Sequence, residues 1–597
     1  MKSLELFNCV VAESKGEFKI LPEYGTVIEP SASYALADIE KFLKSKKLNS
    51  KQLNDTFHKS WKVIKESSRE ELWMHQVLHY LTTYGTNFES SFVYTPNEDL
   101  DIPQVTTRFS VIRGLKRDEI IEKALDLLKS GVALKKETID DIIEILSDLD
   151  YEFTGKESIK NKEALMIVCK TVGTVPSDPS EFVRYLIYLA TGETLIIKND
   201  DTYKKIKGMT STQRRDVEKV LAKCDVESLA EVFNRFKPIF LTFKKAIGHK
   251  YSNIINKISR LSKKLHVPME QNILNNIASC KLEELRSQKD NLIKNANFFQ
   301  LAKCLQFLSQ SKNADCKVYN IRNGKSWVEE KKPNTQWCDA KILLLHDIIF
   351  EKFGVNLNGK KIYIPEGVYY SLPTSEKMFV GNVPMGSMFV SKEAIAMGIY
   401  WKNSGGAYDL DLSSIANTKV GWNSRYSYGD GDVMFSGDMT DARNGATEYI
   451  RMKKADDDYL ILNNVFRGND KGSVFNIIIG KGSNIDKSYM MDPNKVWFTT
   501  QTETIQKQTV VGMITKYGKH NAAIVLNFSS GSSQVSKTGG KNDIMRKALI
   551  QRWKNCYRLN DVLEYCGAVL VDSPKGCDVD LTPSNLEKDT ILNLFKN

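Results

Sequence analysis

Between positions 409 and 448 the chain carries seven carboxylates: Asp409, Asp411, Asp430, Asp432, Asp438, Asp441 and Glu448. Many stand beside Gly, Ser or Asn in the stretch YDLDLSSIANTKVGWNSRYSYGDGDVMFSGDMTDARNGATEYI. Hard divalent cations take oxygen ligands, about six to eight of them for Ca²⁺, from carboxylates, carbonyls and water. Carboxylates on loops at strand ends can supply such a set. Asp409 and Asp411 are two apart, so a regular strand points both to one face. Asp438 and Asp441 follow Gly437 in a turn-like SGDMTD. The same residue types also populate solvated turns for local reasons, so spacing alone leaves both readings open.

Other chemistries find less support. An EF-hand is excluded because its twelve-position loop ending in Glu is missing. The Asp-x-Ser-x-Ser of a von Willebrand A metal site is broken by Asp411. His75 and His79, in WMHQVLHY, stand one helical turn apart. A zinc protease needs a Glu between them as the base, and position 76 is Gln, so the pair reads as a helix-interface feature. There is no GxSxG elbow, no GxxxxGK[ST] phosphate loop and no GxGxxG; IIIGKGSN lacks the upstream Gly. A Cys–His or Ser–His pair meets in space and not in sequence, so that chemistry stays open while no catalytic residue is named.

Charge is uneven along the chain, which has a net charge of +11. Residues 1–200 hold 26 basic and 32 acidic side chains, residues 201–350 hold 28 and 15, and residues 351–597 hold 30 and 26. TYKKIKG, TQRRDVEKV, FKKAIGHKY and ISRLSKKLH place cations on successive helices of the middle third. Lys244, Lys245, Lys263 and Lys264 are its candidate phosphate contacts, for RNA or DNA binding. The aromatic run FNRFKPIFLTF beside them fits helix core better than base stacking. With 66 Lys against 18 Arg, bidentate base recognition is disfavoured.

The elements that must position these groups change character along the chain. Residues 1–350 carry 11 glycines and residues 351–597 carry 24, although the second stretch is shorter. Glycine is costly in helices and useful at turns and bulges, so a helical first part and a β-rich second part are expected. SASYALADIEKFLKSK, DEIIEKALDLLKSG and KETIDDIIEILSDLD place apolar residues three and four apart. About a dozen helices are expected between 33 and 353, stacked as helical hairpins. After residue 358, DYLILNNVF, SVFNIII, TVVGMITKYG and AAIVLNF are short, β-branched and punctuated by Gly, Asn, Asp and Pro, as in a β-sandwich. DIMRKALIQRWKNCYRL and PSNLEKDTILNLFK read as terminal helices.

The expected fold class is thus multidomain α + β: an N-terminal all-α helical-hairpin scaffold followed by a C-terminal antiparallel β-sandwich with terminal helices. The expected divisions are an α-helical subdomain at 1–200, a basic α-helical one at 201–353 and the sandwich at 358–597. The first residues lack an apolar leader, and no stretch approaches the roughly 18 consecutive apolar residues of a membrane span, so no membrane partner is expected. Ten scattered cysteines without a CxxC suit free thiols in a reducing cytoplasm.

Residues 397–450 resemble the TerD-type domain of tellurium-resistance and stress proteins. The DLD-x-S strand of that family is matched by YDLDLSS at 408–414, and its GD turn some 25 residues later by SGDMTDARNGATEYI at 436–450. MTDARNG stands where the family's turn is more acidic, and WNSRYSYGDGD is a longer insertion. The resemblance implies a β-sandwich with bound Ca²⁺ and a binding rather than catalytic role. By position it implies Asp409, Asp411 and Asp438 as metal ligands, with Asp441 and Glu448 as looser candidates. It further implies a place in prokaryotic, plasmid or phage stress and conflict systems; a protein partner or homo-oligomer is expected, and a cytoplasmic location, with a phage-infected cell or virion as the other setting. The alternatives are nucleic-acid binding by the basic face and a structural part of a phage or other large assembly.

Overall fold

The computed structural model describes residues 2–13, 16–46, 110–268, 272–312, 314–315, 317–320, 326–329, 332, 336–403, 408–416, 418–439, 442, 445–467, 473–482, 496–504, 507–529 and 548–595. His75, His79 and Asp441 lie outside these residues. The chain divides into a helical unit, 118–277, and a second unit built from 3–117 and 278–597. The joint expected near 198–210 falls inside the first of these, and the boundary expected at 353–358 inside the second.

The second unit opens with α1 (Lys2–Phe7), strands β1 (Cys9–Val11), β2 (Lys19–Leu21) and β3 (Thr26–Ile28), helix α2 (Leu36–Lys46) and strand β4 (Ser110–Leu115). These strands form a mixed sheet in the order β1-β4-β3-β2 over a core of Leu4, Val10, Ile28, Ile39 and Ile112. The sheet adds to the all-helical expectation for this half. Three of its strands have three residues each, too few to show a period of two.

The helical unit follows the sequence closely. It runs through α3 (Arg117–Lys129), α4 (Lys136–Asp148), α5 (Lys162–Val172), α6 (Pro179–Thr191), α7 (Asp200–Lys207), α8 (Ser211–Ala222), α9 (Val226–Val232), α10 (Lys237–Ala246) and α11 (His249–Leu265). Asp178 caps α6 by accepting from the Ser180 and Glu181 amides, and Thr210 with Gln213 closes a capping box on α8. Phe233, Phe236, Phe240 and Phe243 are all buried, and Phe233 stacks on Phe240 at 5.1 Å, so the aromatic run is core.

Helices α12 (Leu282–Ser287), α13 (Lys289–Asn295) and α14 (Phe298–Lys312), the hairpin β5 (Lys317–Asn320) and β6 (Ser326–Glu329), and α15 (Cys338–Leu357) lead to the sheets. β7 (Lys361–Tyr363), β8 (Val368–Tyr369), β9 (Phe379–Val380), β10 (Val383–Pro384), β11 (Met388–Ser391), β12 (Ile395–Trp401), β13 (Asp409–Ile415) and β14 (Lys419–Gly421) follow. Then come β15 (Ser427–Tyr428), β16 (Val433–Phe435), β17 (Ala446–Met452), β18 (Tyr459–Arg467), β19 (Ser473–Lys481), β20 (Val496–Thr504), β21 (Gln508–Tyr517) and β22 (His520–Ser529). One antiparallel sheet has the order β14-β13-β18-β21-β22-β11-β8 and the other β15-β16-β17-β12-β19-β20. They pack face to face: Phe389 on β11 meets Phe498 on β20 at 5.4 Å, and Gly512 on β21 leaves room for Met397 on β12. Every residue of β12 is buried, which explains its unbroken apolar run IAMGIYW.

The C-terminus returns to this unit through helix at 548–554, α16 (Leu559–Tyr565), β23 (Val569–Val571) and β24 (Val579–Asp580). The helix expected at 583–596 is instead a run of turns over 588–595. Helix-like bonds are present but scattered: the Thr590 amide donates to the Glu587 carbonyl at 3.3 Å and the Asn593 amide to the Asp589 carbonyl at 2.7 Å. The segment still docks, since Phe595 stacks on Phe298 at 3.5 Å between ring centres. Among the described residues no helix is long and apolar enough to cross a membrane.

One close approach frames the site. Gly398 on β12 pairs with Tyr449 on β17, and a methyl group there would lie 2.2 Å from the Glu448 carbonyl oxygen. Gly398→Ala is therefore expected to push β12 from β17 and cost about 1–3 kcal/mol. Differential scanning calorimetry of the full chain checks this as a lowered sandwich transition, and an unchanged transition would contradict the packing described.

Candidate metal centre

Strand β13 alternates as its sequence demands. Leu410 and Leu412 are buried on one face, and Asp409 and Asp411 occupy the other. Asp411 is fully buried and Asp409 is 7% exposed. The third acid arrives from the loop after β16, where Gly437 has φ 115°, a conformation that side-chain-bearing residues rarely adopt. The next residue is Asp438. One carboxylate oxygen from each of Asp409, Asp411 and Asp438 lies within 4.8 Å of the others. This is the one such grouping of potential ligands among the described residues.

Nearby cations compensate this convergence only weakly. Neither oxygen of Asp411 accepts a hydrogen bond from a described residue, nor does Oδ1 of Asp438. A buried ionised carboxylate without a partner is among the costliest groups a protein can hold. Burial first, and then Asp409, Asp438 and Glu448, push the Asp411 carboxyl well above the usual carboxylate range. Burial, then Asp438, does the same to Asp409. Burial pushes Asp438 up to about 7. The opposing cations are weaker: Lys419 acts on Asp411 and Arg467 on Asp409, without reversing either shift. Lys419 is itself held down at about 8 by burial, despite Asp411.

Glu448 stands beside the three aspartates but is engaged differently. Its Oε2 accepts from the Leu412 amide at 2.6 Å and its Oε1 from the Met439 amide at 2.8 Å. It ties β17 to the residue after Asp411 and to the residue after Asp438, so it sets the spacing of the two acids. Asn464 on β18 works from the other side: its Nδ2 donates to the Asp411 carbonyl and to Ser413 Oγ, while its Oδ1 accepts from Gln508 Nε2.

The seven-acid stretch thus splits. Asp409, Asp411 and Asp438 converge, and Glu448 positions them. Asp430 and Asp432 lie in the turn between β15 and β16, where Asp430 has φ 51° and the Asp432 amide donates to the Gly429 carbonyl. Those two fit the solvated-turn reading. Sequence spacing gave no hint of Asn464 or Lys419, which meet the site only through strand pairing. The basic candidates are elsewhere: Lys244 and Lys245 end α10, Lys263 and Lys264 end α11, and all four are exposed.

The residues fit a hard cation. Three carboxylates supply up to six oxygens, and opposite ligands on one Ca²⁺ lie about 5 Å apart, given Ca–O distances of roughly 2.3–2.6 Å. No nitrogen or sulfur donor belongs to the group, so zinc and copper chemistry is not favoured. No protein-family model, curated protein or solved structure matches the chain.

A pH signature follows from the raised carboxyls. Without a cation, the folded state holds protons that the unfolded chain has released, so stability is fullest below the unfolded carboxylate value. It is lost as pH rises through the folded value, about 7 for Asp438. In chelator, Asp438→Asn is expected to melt above wild type at about pH 8, with the gap narrowing at about pH 5.5. Calorimetry at the two pH values checks this; a variant that melts below wild type at both contradicts it.

A second expectation concerns Glu448. Glu448→Gln replaces one acceptor by a donor facing a backbone N–H, at a cost of about 1–3 kcal/mol. Thermal unfolding in chelator should register the loss, and no change would show that the two amides find other partners.

Proposed function

We propose that the β-sandwich is a calcium-binding module and that the chain is a non-enzymatic binding or assembly protein. The observation that carries this reading is Asp411: fully buried, both oxygens without a hydrogen-bond donor among the described residues, and facing the carboxylates of Asp409 and Asp438. Asp409, Asp411 and Asp438 hold the ion, while Glu448 and Asn464 fix the backbone around them. The cation supplies the positive charge that Lys419 and Arg467 do not provide in full. It also joins β13 to the loop before β17 and so fixes a loop surface for a protein partner or a second copy of the chain.

The TerD-type resemblance of 408–414 and 436–450 supports the choice of Ca²⁺ and suggests a prokaryotic or phage stress setting. Binding to the folded state alone stabilises it by mass action, about 2.7 kcal/mol when free ion is roughly a hundredfold above Kd.

Isothermal titration of the full chain with Ca²⁺ tests the reading. Wild type is expected to bind and to melt at higher temperature in millimolar Ca²⁺, and Asp409→Asn/Asp438→Asn to do neither. Absence of binding by wild type, or retention of binding by the double variant, overturns it.

A further inference from the structure

From Val232 to Met269 the chain contains no Asp or Glu and nine Lys or Arg residues. This stretch spans α10 and α11 of the helical unit. Lys237, Lys244, Lys245, Lys250, Lys257, Arg260, Lys263 and Lys264 are all exposed. Among the described residues, none of these eight pairs with a carboxylate. Most charged helix faces mix signs, and this one does not.

The arrangement on α11 is ordered. Ser252, Ile255, Ile258 and Ser262 are buried, and Ile255 and Ile258 belong to the core of the unit. Lys250, Lys257, Arg260 and Lys264 are spaced seven, three and four apart and share the opposite face. Together with Lys263, Asn253 and Asn256 they occupy an arc of roughly 140°, taking about 100° per residue. The stripe from Lys250 to Lys264 is about 21 Å long at about 1.5 Å per residue. The bordering carboxylates lie on neighbouring helices: Glu218 on α8 accepts from the Gly248 amide, and Glu231 on α9 offers its backbone carbonyl to His266.

A run of one sign along two helices calls for a polyanion, and its details select among them. The apolar side of α11 is already in the core, so the helix cannot lay that side into a lipid surface. Its aromatic neighbours do not form a stacking platform, because Phe233, Phe236, Phe240 and Phe243 are buried and Tyr251 packs against the core. Single-strand binding relies on such platforms. An A-form duplex hides its major groove from side chains, whereas that of B-DNA, about 12 Å wide, admits a helix. Lysines predominate over arginines here, which suits phosphate neutralisation and not bidentate base reading.

We propose that the exposed face of α11, with the terminal lysines of α10, binds the phosphate backbone of double-stranded B-form DNA without sequence preference. About six base pairs match the length of the stripe, at about 3.4 Å per pair. The inference is independent of the metal centre, which lies in the other unit.

Fluorescence anisotropy of the full chain with a labelled DNA duplex tests it. Binding is expected at about 50 mM salt and should weaken on the order of a hundredfold by about 200 mM, as for four phosphate contacts. Lys257→Glu/Arg260→Glu/Lys264→Glu should weaken binding at least about tenfold, with Lys257→Gln/Arg260→Gln/Lys264→Gln in between as a milder variant that keeps helix propensity. Lys516→Glu/Lys519→Glu/Lys575→Glu makes the same change of net charge at exposed positions of the other unit and should stay within about threefold. No complex at low salt, or equal losses in both reversal variants, overturns the proposal. So does tighter binding to single-stranded DNA, duplex RNA, vesicles containing phosphatidylserine or an acidic protein.

Discussion

The account rests on repulsion among buried negative charges. Asp409 and Asp411 come from one strand, Asp438 from the other sheet's loop, and Glu448 lies among them. In water these groups would separate. Here two stacked sheets hold them within a few ångströms, with Asp409, Asp411 and Glu448 buried and Asp438 half-buried, and with only weak countercharge. Such an arrangement survives only if protons are retained or a cation is taken up, and both outcomes couple fold stability to solution conditions.

The rest of the sandwich prevents the alternative of relaxation. Glu448 reaches two backbone amides in different elements, so neither β13 nor the loop at Asp438 can withdraw without breaking a hydrogen bond to its buried carboxyl. Gly398 lets β12 approach β17 closely enough to hold Glu448 in place. Asn464 braces β13 from β18, and Gln508 on β21 braces Asn464 in turn. The convergence of charge is therefore a property of the whole packing, with five strands contributing. The helical unit has a different electrostatic character: on α10 and α11 an acid-free run of exposed cations covers an apolar core.

Part of this was legible in the residues. The alternation DLDLS placed Asp409 and Asp411 on one face, and Gly437 marked the turn that delivers Asp438. The glycine-rich, β-branched second half announced its strands, and apolar residues three and four apart announced helices such as α3 and α4. What stayed hidden depends on partners distant in sequence. Glu448 looked like one more ligand, because nothing local reveals that its oxygens meet the amides of residues 412 and 439. Asn464 is 53 positions from the carbonyl it holds. The N-terminal sheet escaped notice because β4 completes it from about a hundred residues downstream of β1. The last segment looked helical by its apolar spacing, yet it folds as a run of turns that docks through Phe595 on Phe298.

The most direct test is crystallographic. Crystals of the full chain grown with Ca²⁺, measured at a wavelength where calcium scatters anomalously, should give an anomalous peak bounded by carboxylate oxygens of Asp409, Asp411 and Asp438. If the three side chains converge and no peak lies between them, or if they point separately into solvent, the electrostatic account of this protein is wrong.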